Sequence, residues 1–234
     1  MHSLRAFDER QVGASIDWGA IDRDRALRPP RVLECLREAC LIESYLPVFT
    51  SRMCKLFWDD VDATSVFTIE AFEAYGHYVV LRRYLDVVGR QPVTDEDVVR
   101  VRAKDREHVY SDKIGELVNF MATEHFAAAF FTRLSEMTEE PVLKGFLPRL
   151  AREEVRHAQF AFDLLQARID RDPHVGDRVL ACARHFTHVG AYVLPRVSAA
   201  GDDNLESIAR FNEMIGRLVG RRLSDALEAV APTA

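Results

Sequence analysis

The sequence lacks the features that mark several broad classes of protein. It has four cysteines in 234 residues, at positions 35, 40, 54 and 182, and no Cys-x-x-Cys pair. This count does not suggest a disulfide scaffold, so we expect reduced cysteines in a cytoplasmic protein. No apolar run approaches the roughly 20 residues that cross a bilayer, and Met1 to Arg10 lack the apolar stretch of a secretion signal. We therefore expect neither a membrane span nor export.

Clustered positive charge and phosphate-binding motifs are also missing. The formal net charge is -6, which argues against a general affinity for DNA or RNA. Neither a glycine-rich phosphate loop nor a Gly-x-Ser-x-Gly turn occurs, so nothing supports nucleotide binding or Ser/His/Asp hydrolysis. The whole sequence is 48% apolar and 29% charged, which is the composition of an ordinary globular protein.

The apolar residues recur at helical spacing, and no stretch alternates with the period of a β-strand. We predict an all-α protein with helices at about 31–58, 64–88, 94–107, 111–137, 141–170, 174–199 and 203–230. Breaks fall at Gly89 to Asp97, with a capping box of Thr94 and Asp97, at Glu139 to Pro141, and at Gly201 to Asn204. Because no long flexible linker separates them, we expect a single domain over 1–234. It would have an irregular segment at 1–28, a core bundle at about 31–170 and extra helices at about 174–230.

Acidic and imidazole side chains interrupt four of the predicted internal faces. Glu43 is the charged member of the first stripe, and Glu124 lies within the apolar stretch from Phe120 to Phe131. The other two faces each combine acid with histidine, and their residues are Glu70, Glu73 and His77 on the second helix and Glu154 and His157 on the fourth. An ionised carboxylate taken out of water costs several kcal/mol, so these groups need a neutralising partner. Divalent transition metals are bound by such ligands.

The spacing of these residues fits two similar helical hairpins. Glu43 precedes Glu73 by 30 residues, and Glu124 precedes Glu154 by the same number. Arms of roughly 12 residues, about 18 Å, would bring both members of each pair to one height. The stretch from Gly89 to Tyr110 is long enough to cross between the hairpins. His185 and His188 have a metal-like spacing but no acid among them, so we expect packing or surface roles for both.

The pattern resembles the ferritin-like di-iron carboxylate proteins, and within them the soluble acyl-carrier-protein desaturases. Glu43-Ser44-Tyr45-Leu46-Pro47 resembles their first-helix E-E-A-L-P motif. Glu153-Glu154-Val155-Arg156-His157 resembles their fourth-helix D-E-x-R-H motif, and Arg82-Arg83-Tyr84-Leu85 the end of their second helix. The resemblance covers about 31–170. It implies a ferritin-like four-helix bundle with a long crossover and two iron ions.

The resemblance also implies a ligand set. The implied iron ligands are Glu43, Glu73, His77, Glu124, Glu154 and His157, with Glu70 as an alternative on the second helix. Glu43 and Glu124 would be terminal or bridging, Glu73 and Glu154 bridging, and each histidine would anchor one iron. Glu153 would support a ligand rather than bind metal.

Two positions depart from the family pattern. Where the second helix of the family reads E-E-x-x-H, this chain has Glu73-Ala74-Tyr75-Gly76-His77, so Ala74 takes the ligand position in a strict register. Counting back from Glu154 with the spacing of the family places Met121 at the position of the third-helix ligand, and Glu124 lies one turn later. If this hairpin is three residues shorter than that of the family, Glu124 takes the ligand position instead.

The implied function is an enzyme that uses iron (Fe2+/Fe3+) and O2, with electrons from an external donor such as an electron-transfer protein. It would desaturate or hydroxylate an acyl chain, carrier-bound or free, or a small metabolite. A pocket for this substrate is predicted from Phe72, Tyr75, Phe126, Phe130 and Phe131. The alternatives are an N-oxygenase acting on an amine, and an iron-handling or metal-free binding protein. Manganese in place of iron, in part or whole, stays open, and we expect a homodimer.

Overall fold

The ordered elements of the described chain are helices, with no strand among them. The structure is a computed structural model and describes residues 15–198 and 204–228, with side chains described as far as residue 225. The α-helices are α1 (Arg23–Ala26), α2 (Pro30–Leu56), α3 (Val61–Val88), α4 (Asp95–Ala103), α5 (Lys113–Met137), α6 (Pro141–Arg171), α7 (Val175–Arg184), α8 (Leu205–Val219) and α9 (Leu223–Glu228). Short 3-10 turns lie at Trp18–Ala20, Lys104–Glu107 and Val189–Tyr192. The predicted all-α class is confirmed.

Four long helices form a bundle of two hairpins. The pairs α2 with α3 and α5 with α6 make the most extensive contacts in the described chain, and α3 also packs against α6. The segment that carries α4 connects the hairpins. The helices α7 and α8 pack beside α5 and α6, and α9 packs against α7 and α8. This is the expected ferritin-like arrangement, with a long crossover and additional C-terminal helices.

Local sequence signals set the ends of these helices. The Asp60 side chain accepts a hydrogen bond from the Ala63 amide at the start of α3, and Gly89 ends that helix with φ +73°, a conformation that glycine adopts without strain. The capping box of Thr94 and Asp97 is present at the start of α4, as predicted. Pro141 occupies the first turn of α6, where its missing N–H leaves no helical bond unmade.

The crossover is held to α2 beside a proline. Pro47 lies inside α2 and cannot donate a hydrogen bond to the carbonyl one turn earlier. The nearby Ser44 carbonyl accepts a 2.7 Å hydrogen bond from Arg102 Nε on α4. Asp105, which is buried, accepts hydrogen bonds from Tyr45 Oη at 2.8 Å and pairs with Arg52. These contacts fix α2 along the half that carries Glu43.

The region after α6 differs from the prediction. A continuous helix at 174–199 is wrong, because α7 ends at Arg184. The following chain crosses α5, where the Thr187 amide donates to Asn119 Oδ1 and the Val189 amide to Thr123 Oγ1, both at 2.9 Å. Side chains of another helix thus satisfy amides that a longer α7 would have used. The predicted helix at 203–230 is likewise two helices, with Gly220 at φ +72° ending the first.

Two sequence expectations fall partly outside the described residues. Of the segment 1–28, residues 15–28 contain one 3-10 turn and the four-residue α1, and residues 1–14 are not described. Of the break at Gly201 to Asn204, only Asn204 is described. Within the part of the chain that is described, no helix combines the length and the apolar character needed to cross a membrane.

Candidate metal centre

Two groups of three buried side chains meet between the four long helices. The first group is Glu43, His77 and Glu154, and the second is Glu70, Glu124 and His157. Within each group the possible ligand atoms all lie within 4.8 Å of one another. All six side chains are buried, and each group draws on three different helices. Three donors at this separation can hold one metal ion, and the donor types suit a first-row transition metal.

In the first group, His77 on α3 faces two carboxylates with one ring nitrogen. His77 Nδ1 lies 3.0 Å from Glu154 Oε1 and 3.7 Å from Glu43 Oε2. Glu43 comes from α2 and Glu154 from α6. The imidazole and the two acids therefore converge on one point inside the bundle.

In the second group, His157 on α6 has the same arrangement. His157 Nδ1 lies 2.8 Å from Glu70 Oε2 and 3.8 Å from Glu124 Oε2. It also lies 2.8 Å from Glu154 Oε2. Glu154 thus directs one oxygen to each histidine, and its carboxylate lies between the two groups.

An outer carboxylate contacts the far nitrogen of each histidine. Glu153 Oε2 lies 2.8 Å from His77 Nε2, and Glu73 Oε2 lies 2.6 Å from His157 Nε2. Arginines of α6 donate to these acids, Arg149 to Glu153 at 3.4 Å and Arg156 to Glu73 at 2.6 Å. An ionised carboxylate can only accept a hydrogen bond, so each outer acid favours the histidine tautomer that carries its proton on Nε2. The Nδ1 lone pair of each ring then faces inward.

Three of the inward-facing atoms lack a hydrogen bond, whereas His157 Nδ1 and Glu154 Oε2 are hydrogen-bonded to each other. Glu70 Oε2, His77 Nδ1 and Glu154 Oε1 are buried without a hydrogen-bond partner among the described residues. Buried polar atoms without a partner are rare in folded proteins because each one is destabilising. Lone pairs of carboxylate and imidazole directed at one another repel unless a cation lies between them. The residues present therefore fit a pair of metal ions.

The pKa shifts agree with this crowding of charge. Burial, and then repulsion by Glu154, raises the pKa of Glu43 to about 7. Burial followed by repulsion from Glu70 raises the pKa of Glu124 well above its usual range. Burial alone would lower the pKa of His77, but attraction to Glu154 outweighs it and the pKa lies well above the ordinary value. Without a metal, the centre must hold protons in the place of cations.

On α3 the acid of the second group is Glu70 rather than Glu73. Ala74, at the family's ligand position, is fully buried and offers only a methyl group. Glu70 lies one turn earlier on the same face and seven residues from His77, which is close to two full turns. Glu73 lies outside both groups, with its side chain 22% exposed and paired with Arg156.

On α5 the acid that reaches the centre is Glu124. Glu124 belongs to the second group, whereas Met121 is fully buried among apolar side chains. The turn between α5 and α6 comprises only residues 138–140. The structure thus brings together five of the predicted ligands and the alternative ligand Glu70, and it places Glu153 against His77. The five are Glu43, His77, Glu124, Glu154 and His157.

A cavity of about 410 Å³ adjoins the two groups. It reaches Glu43 and Glu124, and its walls include Phe126, Phe130 and Phe131 of the predicted pocket. Phe72 and Tyr75 are not among its lining residues; Phe72 is 51% exposed and the Tyr75 ring packs on Tyr78 at 5.7 Å. These two residues therefore do not line this cavity, and a role for them in substrate binding stays a prediction.

His188 also lines this cavity, which the sequence did not predict. It follows the early end of α7, and its Nδ1 accepts a 2.9 Å hydrogen bond from the Gly190 amide. Because Nδ1 accepts, a neutral ring carries its proton on Nε2. Burial lowers the pKa of His188 to about 4, so the ring is neutral at ordinary pH. His185 is exposed, in agreement with the surface role expected for it.

Comparisons with known proteins give one kind of relative. The chain is 37% identical over 102 residues to the Mycobacterium tuberculosis protein named "Putative acyl-[acyl-carrier-protein] desaturase DesA2", in strains CDC 1551 / Oshkosh and ATCC 25618 / H37Rv. The match covers 42% of this chain and 36% of the relative. No family model matches the chain. No solved structure matches it either. The chain therefore spans little more than a third of the length of the relative that it matches.

Proposed function

We propose that the two groups hold a di-iron centre and that the protein is an O2-dependent oxidase of the desaturase or hydroxylase type. The ligands of one iron would be Glu43, His77 and Glu154, and those of the other Glu70, Glu124 and His157. The observation that carries this proposal is the set of inward-facing donor atoms without hydrogen bonds, on both sides of the shared Glu154 carboxylate. The similarity to a protein named as a desaturase supports iron over other metals.

Two adjacent irons, when bound, supply the electrons that activate O2 for attack on an unactivated C–H bond. The chain's own residues position and protect this chemistry. Glu73 and Glu153 hold the histidine rings with Nδ1 inward. Apolar side chains along α5 line the adjoining cavity and limit water beside Glu124, which favours reaction with a bound substrate.

We place the substrate in this cavity. Its walls are mainly apolar, which suits an acyl chain or another apolar metabolite. The name of the relative points to a carrier-bound acyl chain, and an external electron-transfer protein would provide reducing equivalents. Homodimer formation stays a prediction.

Anaerobic loading with ferrous iron tests the proposal. We expect about two irons per chain, followed by O2 consumption without growth of a mineral core when air is admitted. Mass spectrometry on acyl substrates and amines, with a reductant present, would then separate C–H oxidation from N-oxygenation. Uptake of many irons per chain would indicate storage, and near-zero binding would leave a metal-free binding protein.

A further inference from the structure

The cavity beside the candidate metal centre carries a basic side chain at the end remote from it. Lining residues on α5 run from Thr123 and Glu124 to Arg133. Nine residues separate Glu124 from Arg133, which corresponds to about 14 Å along a helix. The chain between them contributes apolar wall, including Phe126 and Phe130. The cavity thus has a metal-facing end, an apolar middle and a cationic end.

Arg133 has no ion pair or hydrogen bond with any residue that the structure describes. It is partly buried, and it is the only arginine or lysine among the described residues that line the cavity. The arginines of α6 that flank the metal centre, by contrast, are paired with acids. A partly buried guanidinium beside apolar walls interacts strongly with a carboxylate, which it can bind through two parallel hydrogen bonds.

The acids that line the cavity do not neutralise this charge by contact. Glu38 on α2 is the acid outside the proposed ligand set, and its Oε2 accepts a 3.2 Å hydrogen bond from the Ser198 amide. Glu43 and Glu124 belong to the two metal groups. As far as the described residues are concerned, the guanidinium is therefore available to an anion that enters with a ligand.

We propose that the cavity binds a medium-chain free carboxylate, whose anionic end pairs with Arg133 and whose alkyl chain extends along α5 toward Glu43 and Glu124. This inference rests on the proposed oxidase function and specifies its substrate class. A thioester joined to a carrier protein has no carboxylate to offer Arg133. A volume of about 410 Å³ lies at the small end of the range for ligand pockets, which fits a chain of medium length.

Binding of decanoate and of decan-1-ol, measured by calorimetry on the full chain, tests the assignment. The two probes share an alkyl chain and differ in the anionic group. We expect decanoate to bind the native chain at least about tenfold more tightly than the alcohol, as for a charge-assisted pair in a partly buried site. Equal affinities would overturn the proposal, as would tighter binding of the S-decanoyl thioester of a small thiol.

Three variants sharpen the test. Arg133→Met keeps much of the aliphatic stem and removes the charge, so it should lose the preference for decanoate and leave decan-1-ol binding unchanged. Arg133→Lys should restore part of the preference. Arg152→Met removes an arginine from an exposed position of α6 and should change neither affinity. Equal weakening of both probes by Arg133→Met would mean a packing role and would overturn the proposal.

Iron content measured on the same preparations separates this inference from the proposed function. Two irons per chain with no preference for carboxylate would overturn the substrate assignment alone. A clear preference for decanoate in a chain that binds no iron would overturn the oxidase, and the inferred substrate role with it, leaving only a carboxylate-binding site.

Discussion

The two hairpins of the bundle build similar halves of the candidate centre from different spacings. On α6, Glu154 and His157 are three residues apart, and both side chains reach the interior. On α3 the acid and the histidine, Glu70 and His77, are seven residues apart, with the buried Ala74 between them. Because α-helical positions three, four and seven residues apart share a face, either spacing can direct two donors inward. Similar ligand groups can therefore be built from helices whose acid and histidine have different sequence spacings.

The two hairpins also differ in whether an acid is shared between the two ligand groups. Glu154 directs one oxygen at each histidine, at 3.0 and 2.8 Å. Glu70 belongs to the second group only. If the two groups hold iron, α6 would contact both ions through the single carboxylate of Glu154, whereas α3 would contribute Glu70 to one ion and His77 to the other.

Replacing the shared carboxylate should have the largest effect. Glu154→Gln keeps the shape of the side chain and removes the charge between the histidines, so we expect iron content to fall from about two per chain to well below one. Outer-shell partners alone contribute 10 to 100-fold in metal affinity, and a direct ligand to both ions should contribute more. Metal analysis after anaerobic loading measures this.

Glu136→Gln, on an exposed position of α5, is the matched control and should retain both irons. The metal-free Glu154→Gln chain should melt at a lower temperature than the native apoprotein, because Glu154 is the carboxylate that attracts both buried histidines and lowers its own pKa in doing so. Full iron binding by Glu154→Gln would contradict a shared ligand.

The next largest effect on iron binding should distinguish the two candidate acids of α3, Glu70 and Glu73. Glu70→Ala should leave about one iron per chain, because only the second group loses a donor. Glu73→Ala should retain two irons and bind the second about 10 to 100-fold more weakly, since Glu73 contacts His157 from outside. Titration with ferrous iron against a competing chelator measures both. The reverse order of effects would restore Glu73 as the ligand.

Moving the acid along α3 tests the role of register directly. The double variant Glu70→Ala with Ala74→Glu returns the acid to three residues before His77, the spacing found on α6. We expect it to regain part of the second iron that Glu70→Ala loses, by the same titration. Ala74→Glu alone adds another acid to a crowded interior and should lower the melting temperature of the apoprotein. A double variant no better than Glu70→Ala would mean that only position 70 has the required geometry.

Much of the bundle could be predicted because its signals are local. Apolar periodicity located α2, α3, α5 and α6, and local residues marked helix starts, Thr94 that of α4 and Pro141 that of α6. The length of α7 could not be predicted this way. Its end depends on Asn119 and Thr123, whose side chains accept amide hydrogen bonds from more than 60 residues away in sequence.

In the candidate site, too, the residues with a local sequence signal could be predicted and those that depend on packing between helices could not. Glu43, Glu124 and Glu154 could be identified because each is an acid on an otherwise apolar helix face, and a buried charge needs a compensating partner. Choosing between Glu70 and Glu73 required the rotation of α3 against its neighbours, which periodicity leaves open within one turn. The place of His188 in the cavity wall had no sequence signal, because it follows from the early end of α7.

The smallest effect concerns the arginines behind the outer carboxylates. Arg156 donates to Glu73 at 2.6 Å and Arg149 to Glu153 at 3.4 Å, and the two arginine side chains are similarly exposed. Exposed ion pairs contribute little, so Arg156→Gln should weaken iron binding by only about two- to fivefold. Arg149→Gln should change it less, because its hydrogen bond is longer and weaker. Chelator competition on both variants under one salt condition resolves the difference. A larger loss from Arg149→Gln would show that the His77 half of the centre, not the His157 half, depends more on its outer support.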